Sequence, residues 1–228
     1  MTTIGIVLPT LPERWEVFDR TYAAFEASCP GGWVFDIVVP DPQPTVGLAW
    51  RAGVAELLED FDGDYLLLGS DDATPRPGWA EVMVPTIDAG FVPAPRLERP
   101  DGSVEACGSM GFGVLLPEAA DCTPVRSTGI IGMARSWWTD VGPVGEGHYA
   151  VDDLWCWQAA QKGHSVLYRS GMVFTHYNDT TAARHVREQA QEHNLACIRM
   201  MAAMGPQTKA ARTLADDPAL TLTHYGTR

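Results

Sequence analysis

The N-terminal third of the chain alternates between short apolar runs and amphipathic segments. The apolar runs TIGIVLP, VFDIVVPD and DYLLLGS are separated by two segments with helical spacing, ERWEVFDRTYAAFEASC and GLAWRAGVAELLEDF. Strand, helix, strand, helix, strand is typical of right-handed α/β units that build a mostly parallel sheet. The nearly continuous apolar character of the first run is typical of a strand buried on both faces. The pattern therefore predicts an α/β fold.

The remainder of the chain is less regular. GWAEVMVPTIDAG predicts a helix, GFVPAPRLE a strand and VEACGSMGFGVLL a hairpin, and STGIIGMARSWWTDVG predicts a strand that leads into a short helix. DDLWCWQAAQKG predicts a helix that ends at Gly163, and HSVLYRSGMVFTHY a closing pair of strands. A long helical pattern follows from about Thr181 to Met204. We predict one α/β domain over residues 1–180 and a C-terminal helix and tail over residues 181–228.

Charge and composition narrow the class of protein. The formal net charge of −13 disfavours non-specific attraction to phosphate backbones or anionic membranes. The five cysteines are widely spaced and form no CxxC motif, which favours reduced thiols over disulfides or a zinc site. No basic leader precedes the first apolar run, and no apolar stretch approaches the ~20 residues that span a bilayer. These features predict a cytoplasmic protein without a membrane span.

Two adjacent carboxylates follow the third predicted strand. Asp71 and Asp72 come directly after YLLLGS, and neighbouring carboxylates repel each other unless a cation compensates. Ligands of parallel sheets bind outside the carboxyl ends of the strands, where these side chains are expected. Hard oxygen ligands held at a fixed point suit Mg²⁺ or Mn²⁺. A cation site is therefore one interpretation, and ordinary solvated loop carboxylates are the other.

Three further groups of polar residues occupy comparable positions. Asp152 and Asp153 open a predicted helix, where an acid can also serve simply as an N-cap. His176 ends a predicted strand; it is a good metal ligand beside negative charge, although a hydrogen-bonded structural histidine is the simpler alternative. The third group follows the first two strands and, residue by residue, is compatible with turn chemistry alone; it consists of Pro9, Thr10, Arg14 and Asp41.

In this order, these groups resemble the family 2-type glycosyltransferases with the GT-A fold. The resembling segments are IGIVLPTLPER, FDIVVPD, GLAWRAGVAELL, DYLLLGSDDATPRPGW, TGIIGMARSWWTDVGPVGEG, DDLWCWQAAQKGHSVLY and VFTH, which cover roughly Thr3 to Tyr177. The resemblance implies a single GT-A (Rossmann-like) domain with a mostly parallel central sheet and a C-terminal helical extension. It also implies metal-dependent, inverting transfer of a sugar from a nucleotide-diphosphate donor, with a UDP-sugar favoured, to an acceptor hydroxyl.

The resemblance implies a role for each matching residue. Asp72 matches the last acid of the DxD motif and would bind Mn²⁺ or Mg²⁺ together with His176. Asp71 matches the middle position, near the donor sugar or ribose, while Ser70 replaces the usual first aspartate. Asp153 matches the proposed catalytic base. The other implied residues are Asp152, which replaces a glutamate on the acceptor side, and the nucleoside-pocket residues Pro9, Thr10, Arg14 and Asp41.

Two more candidates rest on side-chain chemistry. Arg184 is a donor-binding candidate because a guanidinium suits phosphate, with ordinary surface placement on the last helix as the alternative. Trp138 is an acceptor-side candidate because an indole can stack on a sugar ring, with core packing as the alternative.

The chemistry of glycosyl transfer agrees with these roles, and two rival functions are compared with it. A divalent ion offsets the charge of a leaving diphosphate, and a carboxylate base accepts the acceptor proton. A sugar-nucleotide nucleotidyltransferase would carry a glycine-rich basic loop after the first strand, where this chain has PTLPERW. A catalytically silent nucleotide- or sugar-binding module is favoured by Ser70 but disfavoured by Asp153 and His176. The sequence leaves open the acceptor (glycan, protein or modified nucleic-acid base), the donor sugar and nucleotide base, the inverting or retaining outcome, and the oligomeric state.

Overall fold

The structure is a computed structural model that describes residues 1–109, 115–147 and 151–177. The helices are α1 (Trp15–Ala27), α2 (Val46–Asp60), α3 (Trp79–Asp88), α4 (Arg135–Asp140) and α5 (Val151–Gln161). The strands are β1 (Thr2–Val7), β2 (Trp33–Val38), β3 (Tyr65–Leu68), β4 (Ala73–Pro75), β5 (Val92–Glu98), β6 (Val104–Ala106), β7 (Pro124–Val125), β8 (Ile131–Ala134) and β9 (Val166–His176). A short 3-10 turn, Pro12–Arg14, precedes α1.

The central sheet has the strand order β2-β1-β3-β8. β1 pairs in parallel with both β2 and β3, and β8 pairs antiparallel with β3. The buried positions Ile4, Ile6 and Val7 confirm that β1 lies in the interior of this sheet. The predicted α/β fold with a mostly parallel central sheet is confirmed. Because β1, β2 and β3 run in the same direction, the segments that follow them lie at one edge of the sheet.

A second sheet adjoins the first. Its order is β4-β9-β5-β6, with β7 also paired to β9. β5 and β9 are parallel, while β4, β6 and β7 pair antiparallel with their neighbours. The two sheets approach each other closely at β8 and β5, since a Cβ atom added to Gly132 would lie only 3.1 Å from Cγ of Pro93.

An aromatic core joins α1, α3 and β9. Trp79 packs edge-on against Phe25 with ring centroids 5.5 Å apart and against Phe174 at 5.7 Å. The indole N–H of Trp79 donates to Oγ of Ser28 at 2.9 Å, which satisfies its polar atom in the interior. This packing fixes α1 against the strands whose ends carry the polar residues described below.

One predicted element differs from the observed structure. HSVLYRSGMVFTHY does not form a pair of strands: Val166–His176 is one continuous strand. Arg169 and Val173 face the consecutive residues Pro95 and Arg96, so the intervening residues form a bulge in β9 instead of a turn. The carboxylate of Asp121 holds this bulge by accepting from the backbone N–H of Ser170 at 2.7 Å.

The predicted C-terminal extension, residues 181–228, lies outside the described residues, as does the candidate Arg184. The boundary at residue 180 stays a prediction. Within the described part of the chain, no helix combines the length and apolarity that crossing a membrane requires.

Candidate active site

The Asp71–Asp72 pair is held rigidly through its backbone at the carboxyl end of β3. Three neighbouring elements contribute to this. The hydroxyl of Thr21 on α1 donates to the carbonyl of Asp71 at 2.7 Å. The N–H of Tyr177, just after β9, donates to the carbonyl of Asp72 at 2.8 Å. The Trp50 indole on α2 donates to the carbonyl of Gly69 at 2.9 Å, which secures the start of the turn. The position of both carboxylates is therefore set by the fold.

The Asp71 carboxylate is bound by two residues that follow β1. Nε and Nη2 of Arg14 donate to the two carboxylate oxygens of Asp71, each at 2.8 Å, in the bidentate arrangement that is strongest for this pair. The hydroxyl of Thr10 donates to Oδ2 of Asp71 at 2.8 Å. Burial raises the pKa of Asp71, and Arg14 and Thr10 counteract this effect. Three predicted donor-binding residues are thus brought into contact with one another.

The Asp72 carboxylate faces the side chains of Arg14 and His176. Its Oδ2 lies 3.1 Å from Nη2 of Arg14, and its Oδ1 lies 3.7 Å from Nε2 of His176. Nδ1 of His176 is 2.9 Å from Oε2 of Glu105 on β6. Burial works against a charged imidazole, but Glu105 and Asp72 outweigh it and raise the pKa of His176. We call these residues the strand-end cluster: Thr10, Arg14, Asp71, Asp72, Glu105 and His176.

Asp72 and His176 suit a divalent ion as a pair of ligands. Two atoms bound to one Mg²⁺-sized ion at about 2.1 Å each can be at most about 4.2 Å apart, so a separation of 3.7 Å is compatible with a shared ion. Among the described residues, no group of three or more ligating side chains is arranged to hold an ion. Such a two-residue site is typical of Mg²⁺ bound together with substrate phosphates and water. The residues present therefore fit an ion that arrives with a diphosphate.

Asp153 lies at the same end of the central sheet. Ser127, which is fully buried, donates through its hydroxyl to Oδ1 of Asp153. Ser127 shortly precedes β8, and Ile131, the first residue of β8, pairs with Leu68, the last residue of β3. The carboxylate of Asp153 is therefore anchored at the edge where Asp71 and Asp72 lie.

Asp152 lies inside the first turn of α5, since the helix begins at Val151. It is therefore not the N-cap residue, although a negative charge in this turn still interacts favourably with the helix dipole. Burial, and then the negative charge of Asp153, raise the pKa of Asp152 to about 7.

Of the remaining predicted site residues, Pro9 and Asp41 lie at the carboxyl edge of the central sheet and Trp138 does not. Half-buried Pro9 follows β1, and exposed Asp41 follows β2, so both lie at the carboxyl edge of the sheet. Trp138 lies elsewhere. α4 starts after Ala134, which pairs with Tyr65 at the beginning of β3, so the helix begins at the opposite edge. Trp138 packs against the hydrophobic core there. The structure does not bring Trp138 to the strand-end cluster.

Sequence reasoning missed Glu105 and Ser127. Glu105 stands in the VEA run that was interpreted as part of a hairpin, and Ser127 stands in a loop before β8. Both contact a predicted site residue, His176 and Asp153 respectively. No spacing rule in the sequence indicates either contact, because each depends on pairing between distant segments.

Comparisons with known proteins identify the fold. No family model and no curated protein sequence matches the chain. Similar solved structures include GalNAc-T7 with UDP, GalNAc and Mn²⁺, at 10% identity and a TM-score of 0.61 over 98% of this chain. The mannosyltransferase PcManGT from Pyrobaculum calidifontis, with GDP-Man and Mn²⁺, has 12% identity and a TM-score of 0.63 over 97% of this chain. TarS from S. aureus has 12% identity and a TM-score of 0.58 over 100% of this chain.

These similarities concern the fold. The chain corresponds to 56% of the GalNAc-T7 chain, 72% of the mannosyltransferase and 44% of TarS, so it is shorter than each of them. At 10 to 12% identity the shared property is the arrangement of strands and helices. The architecture of this chain is that of a GT-A domain.

Proposed function

We propose that this chain, which has the GT-A fold, is a metal-dependent glycosyltransferase that transfers a sugar from a nucleotide-diphosphate donor, with inversion, to an acceptor hydroxyl. The observation that carries the proposal is the 3.7 Å approach of His176 Nε2 to Asp72 Oδ1. These residues are distant in sequence and meet at the carboxyl edge of the central sheet, where ligands of α/β sheets bind. Solved structures with this fold hold Mn²⁺ with UDP or with GDP-mannose, which supports a metal and a nucleotide-sugar donor.

Residues of the strand-end cluster would bind the donor. Asp72 and His176 would hold Mn²⁺ or Mg²⁺, which supplies positive charge against that of the leaving diphosphate. Arg14 contacts both aspartates and is well placed to keep its guanidinium near the phosphates. Asp71 accepts a hydrogen bond from that guanidinium, and Thr10 donates to the same carboxylate and so holds it in place. Pro9 and Asp41 would line the nucleoside pocket at the same edge, and Arg184 is a further proposed phosphate contact.

Asp153 would act as the base on the acceptor side. The hydroxyl of Ser127 donates a hydrogen bond to Oδ1 of Asp153, and this bond orients the carboxylate. An ionised carboxylate within hydrogen-bond reach of the acceptor hydroxyl can accept its proton as the new glycosidic bond forms. A single displacement at the anomeric carbon inverts its configuration. Asp152, one residue earlier in α5, would contact the acceptor.

A nucleotide-binding screen tests this proposal before any acceptor is identified. UDP with Mn²⁺ is expected to raise the melting temperature, whereas Asp72→Asn and His176→Ala are expected to abolish the rise. Glu59→Gln, an exposed acid near the end of α2, is the control and should respond like the wild type. GDP and dTDP are tested in parallel because the nucleotide base is open. A chain that responds to no nucleotide with Mn²⁺ or Mg²⁺ would contradict the proposal.

One observation favours a catalytically silent binding module as the second candidate. Arg14 contacts both Asp71 and Asp72, and Ser70 donates to Oδ1 of Asp72, so both carboxylates have partners within the protein without an ion. A silent module would bind the nucleotide sugar but neither transfer nor hydrolyse it. Release of free UDP from UDP-sugars, measured with and without Mn²⁺, separates the two candidates.

A further inference from the structure

Glu105 contacts the imidazole nitrogen of His176 that faces away from Asp72. Its Oε2 lies 2.9 Å from Nδ1 of His176, while Nε2 lies on the side of Asp72. An ionised carboxylate can only accept a hydrogen bond, so Nδ1 must carry the proton that is donated. The contact is well shielded, since the Glu105 side chain is only 10% exposed.

An irregularity in the strand pairing is what brings Glu105 to this position. Leu97 pairs with Ala106, but the next residue, Glu98, pairs with Val104. Glu105 is therefore the extra residue of a β-bulge, a feature that redirects side chains and is enriched beside active sites. In a regular antiparallel ladder Glu105 would stand opposite Glu98, and two like charges directly opposite each other are destabilising.

The bulge also decides which face of the sheet Glu105 reaches. Glu98 pairs with Thr175 of β9, and side chains of paired residues point to the same face. His176 follows Thr175 and so points to the other face. A regular ladder would have placed Glu105 with Glu98 and Thr175, away from the imidazole. Glu98 forms ion pairs with two other residues: its Oε2 lies 2.6 Å from Nη2 of Arg76, and its Oε1 lies 2.8 Å from Nε of Arg96.

We propose that Glu105 is the positioning residue of the metal centre: it fixes the ring of His176 so that Nε2 is presented beside Asp72 to a divalent cation. This inference rests on the proposed function, because it takes Asp72 and His176 as the metal ligands. Carboxylate partners of ligating histidines fix the ring orientation and the tautomer and raise ligand basicity. Their removal typically weakens metal binding about 10- to 100-fold. In this proposal Glu105 acts through its contact with His176.

The test is the affinity for Mn²⁺, measured by isothermal titration calorimetry on the full chain, with and without UDP or GDP. Glu105→Ala is expected to weaken Mn²⁺ binding about 10- to 100-fold. Glu105→Gln keeps an oxygen that accepts from Nδ1 and is expected to lose less. Glu98→Gln is the matched control, because this buried carboxylate lies on the same strand pair but does not contact His176. It should bind Mn²⁺ like the wild type.

A double-mutant cycle separates positioning from a general structural effect. In a His176→Ala background, the further change Glu105→Ala should leave the residual Mn²⁺ affinity unchanged, because there is no ring left to orient. An equal loss in both backgrounds, or wild-type affinity in Glu105→Ala, would overturn the inference while leaving the proposed function intact. If the wild type binds no Mn²⁺ under either nucleotide condition, the metal-dependent function fails and the inference fails with it. Should Glu105→Ala not fold, Glu105→Gln in the two backgrounds gives the same comparison at smaller amplitude.

Discussion

Arg14 binds the carboxylate of Asp71 through two parallel hydrogen bonds, Nε to Oδ2 and Nη2 to Oδ1, both 2.8 Å long. The same Nη2 atom lies 3.1 Å from Oδ2 of Asp72. One guanidinium therefore contacts two adjacent carboxylates, whose side chains are only 8% and 11% exposed, and offsets one of their two negative charges. The repulsion expected from the Asp-Asp sequence is therefore partly compensated within the protein itself, before any cation binds.

Removing this guanidinium should destabilise the fold. Arg14→Ala leaves two carboxylates buried without their main counter-charge, and we expect a loss of about 2 to 4 kcal/mol in the free energy of unfolding. Mn²⁺ should restore part of this loss by replacing the positive charge, so it should raise the melting temperature of Arg14→Ala more than that of the wild type. Urea denaturation and thermal melting with and without Mn²⁺ measure both effects.

Arg51→Ala is the control for this prediction. Arg51 pairs with Glu146 on the surface, where both side chains are more than a third exposed. Exposed pairs contribute about 0 to 1 kcal/mol, so this change should have a small effect that does not depend on Mn²⁺. Equal responses of the two variants to Mn²⁺ would show that Arg14 has no special relation to the metal centre.

The sequence predicted the carboxyl edge of the sheet well because that edge follows from strand direction alone. Each short apolar run leads directly into a polar residue, Thr10, Asp41 or Ser70, and parallel strands bring their ends together. Asp71 and Asp72 needed no knowledge of tertiary contacts to be placed there. His176 was identified because it ends the apolar run MVFTH. In the structure, Nε2 of His176 lies 3.7 Å from Oδ1 of Asp72.

The features that the sequence did not predict depend on which residues of distant strands pair with each other, and no local sequence pattern indicates that pairing. Glu105 reaches His176 through a bulge of one residue, and no local pattern in VEA marks it. Ser170 and Gly171 are typical turn residues, yet they form a bulge inside one long strand because Asp121 holds it from a distant segment. Trp138 was expected near the acceptor, but β8 runs antiparallel to β3 and carries α4 to the opposite edge. Long-range pairing decided each of these outcomes.

Asp153→Asn should separate binding from chemistry. The amide is nearly isosteric but cannot accept the acceptor proton, so we expect transfer to fall about 10²- to 10⁴-fold while nucleotide binding persists. Hydrolysis of the donor, in which water replaces the acceptor, measures the loss without a known acceptor. Full activity of Asp153→Asn would show that another group is the base.

Ser127→Ala should shift the acidic limb of the pH–rate profile to higher pH, because the hydrogen bond that is lost stabilises the ionised carboxylate of Asp153.

Asp152 should make stability fall as the pH rises. Burial and Asp153 raise the pKa of Asp152 from 3.8 to about 7 in the folded protein. Between these values the folded state binds the proton more tightly than the unfolded state, so the free energy of unfolding decreases with increasing pH in this window. Because Asp152 is partly exposed, we expect a contribution of about 1 to 2 kcal/mol, less than the full shift implies. Asp152→Asn should reduce the difference in stability between pH 4 and pH 8 by this amount in urea denaturation. An unchanged difference would mean that this carboxyl titrates normally.

Gly47, in the first turn of α2, packs closely against the segment that precedes α5. Substituting it tests whether that segment is held rigidly against α2. A Cβ atom added to Gly47 would lie 2.2 Å from the carbonyl oxygen of Gly145 and 2.8 Å from that of Gly147, and the N–H of Gly47 donates to the latter oxygen at 2.9 Å. Alanine favours a helix over glycine by about 1 kcal/mol, but contact with backbone atoms cannot be relieved by a side-chain rotation. We therefore expect Gly47→Ala to destabilise the fold by about 1 to 3 kcal/mol.

Ala55→Gly, at an exposed position of the same helix, is the control and isolates the effect of helix propensity at about 1 kcal/mol. Urea denaturation compares the two variants. If Gly47→Ala is instead stabilising, the segment carrying Gly145 and Gly147 can move away from α2, and α5 with Asp153 is less firmly placed than this packing indicates.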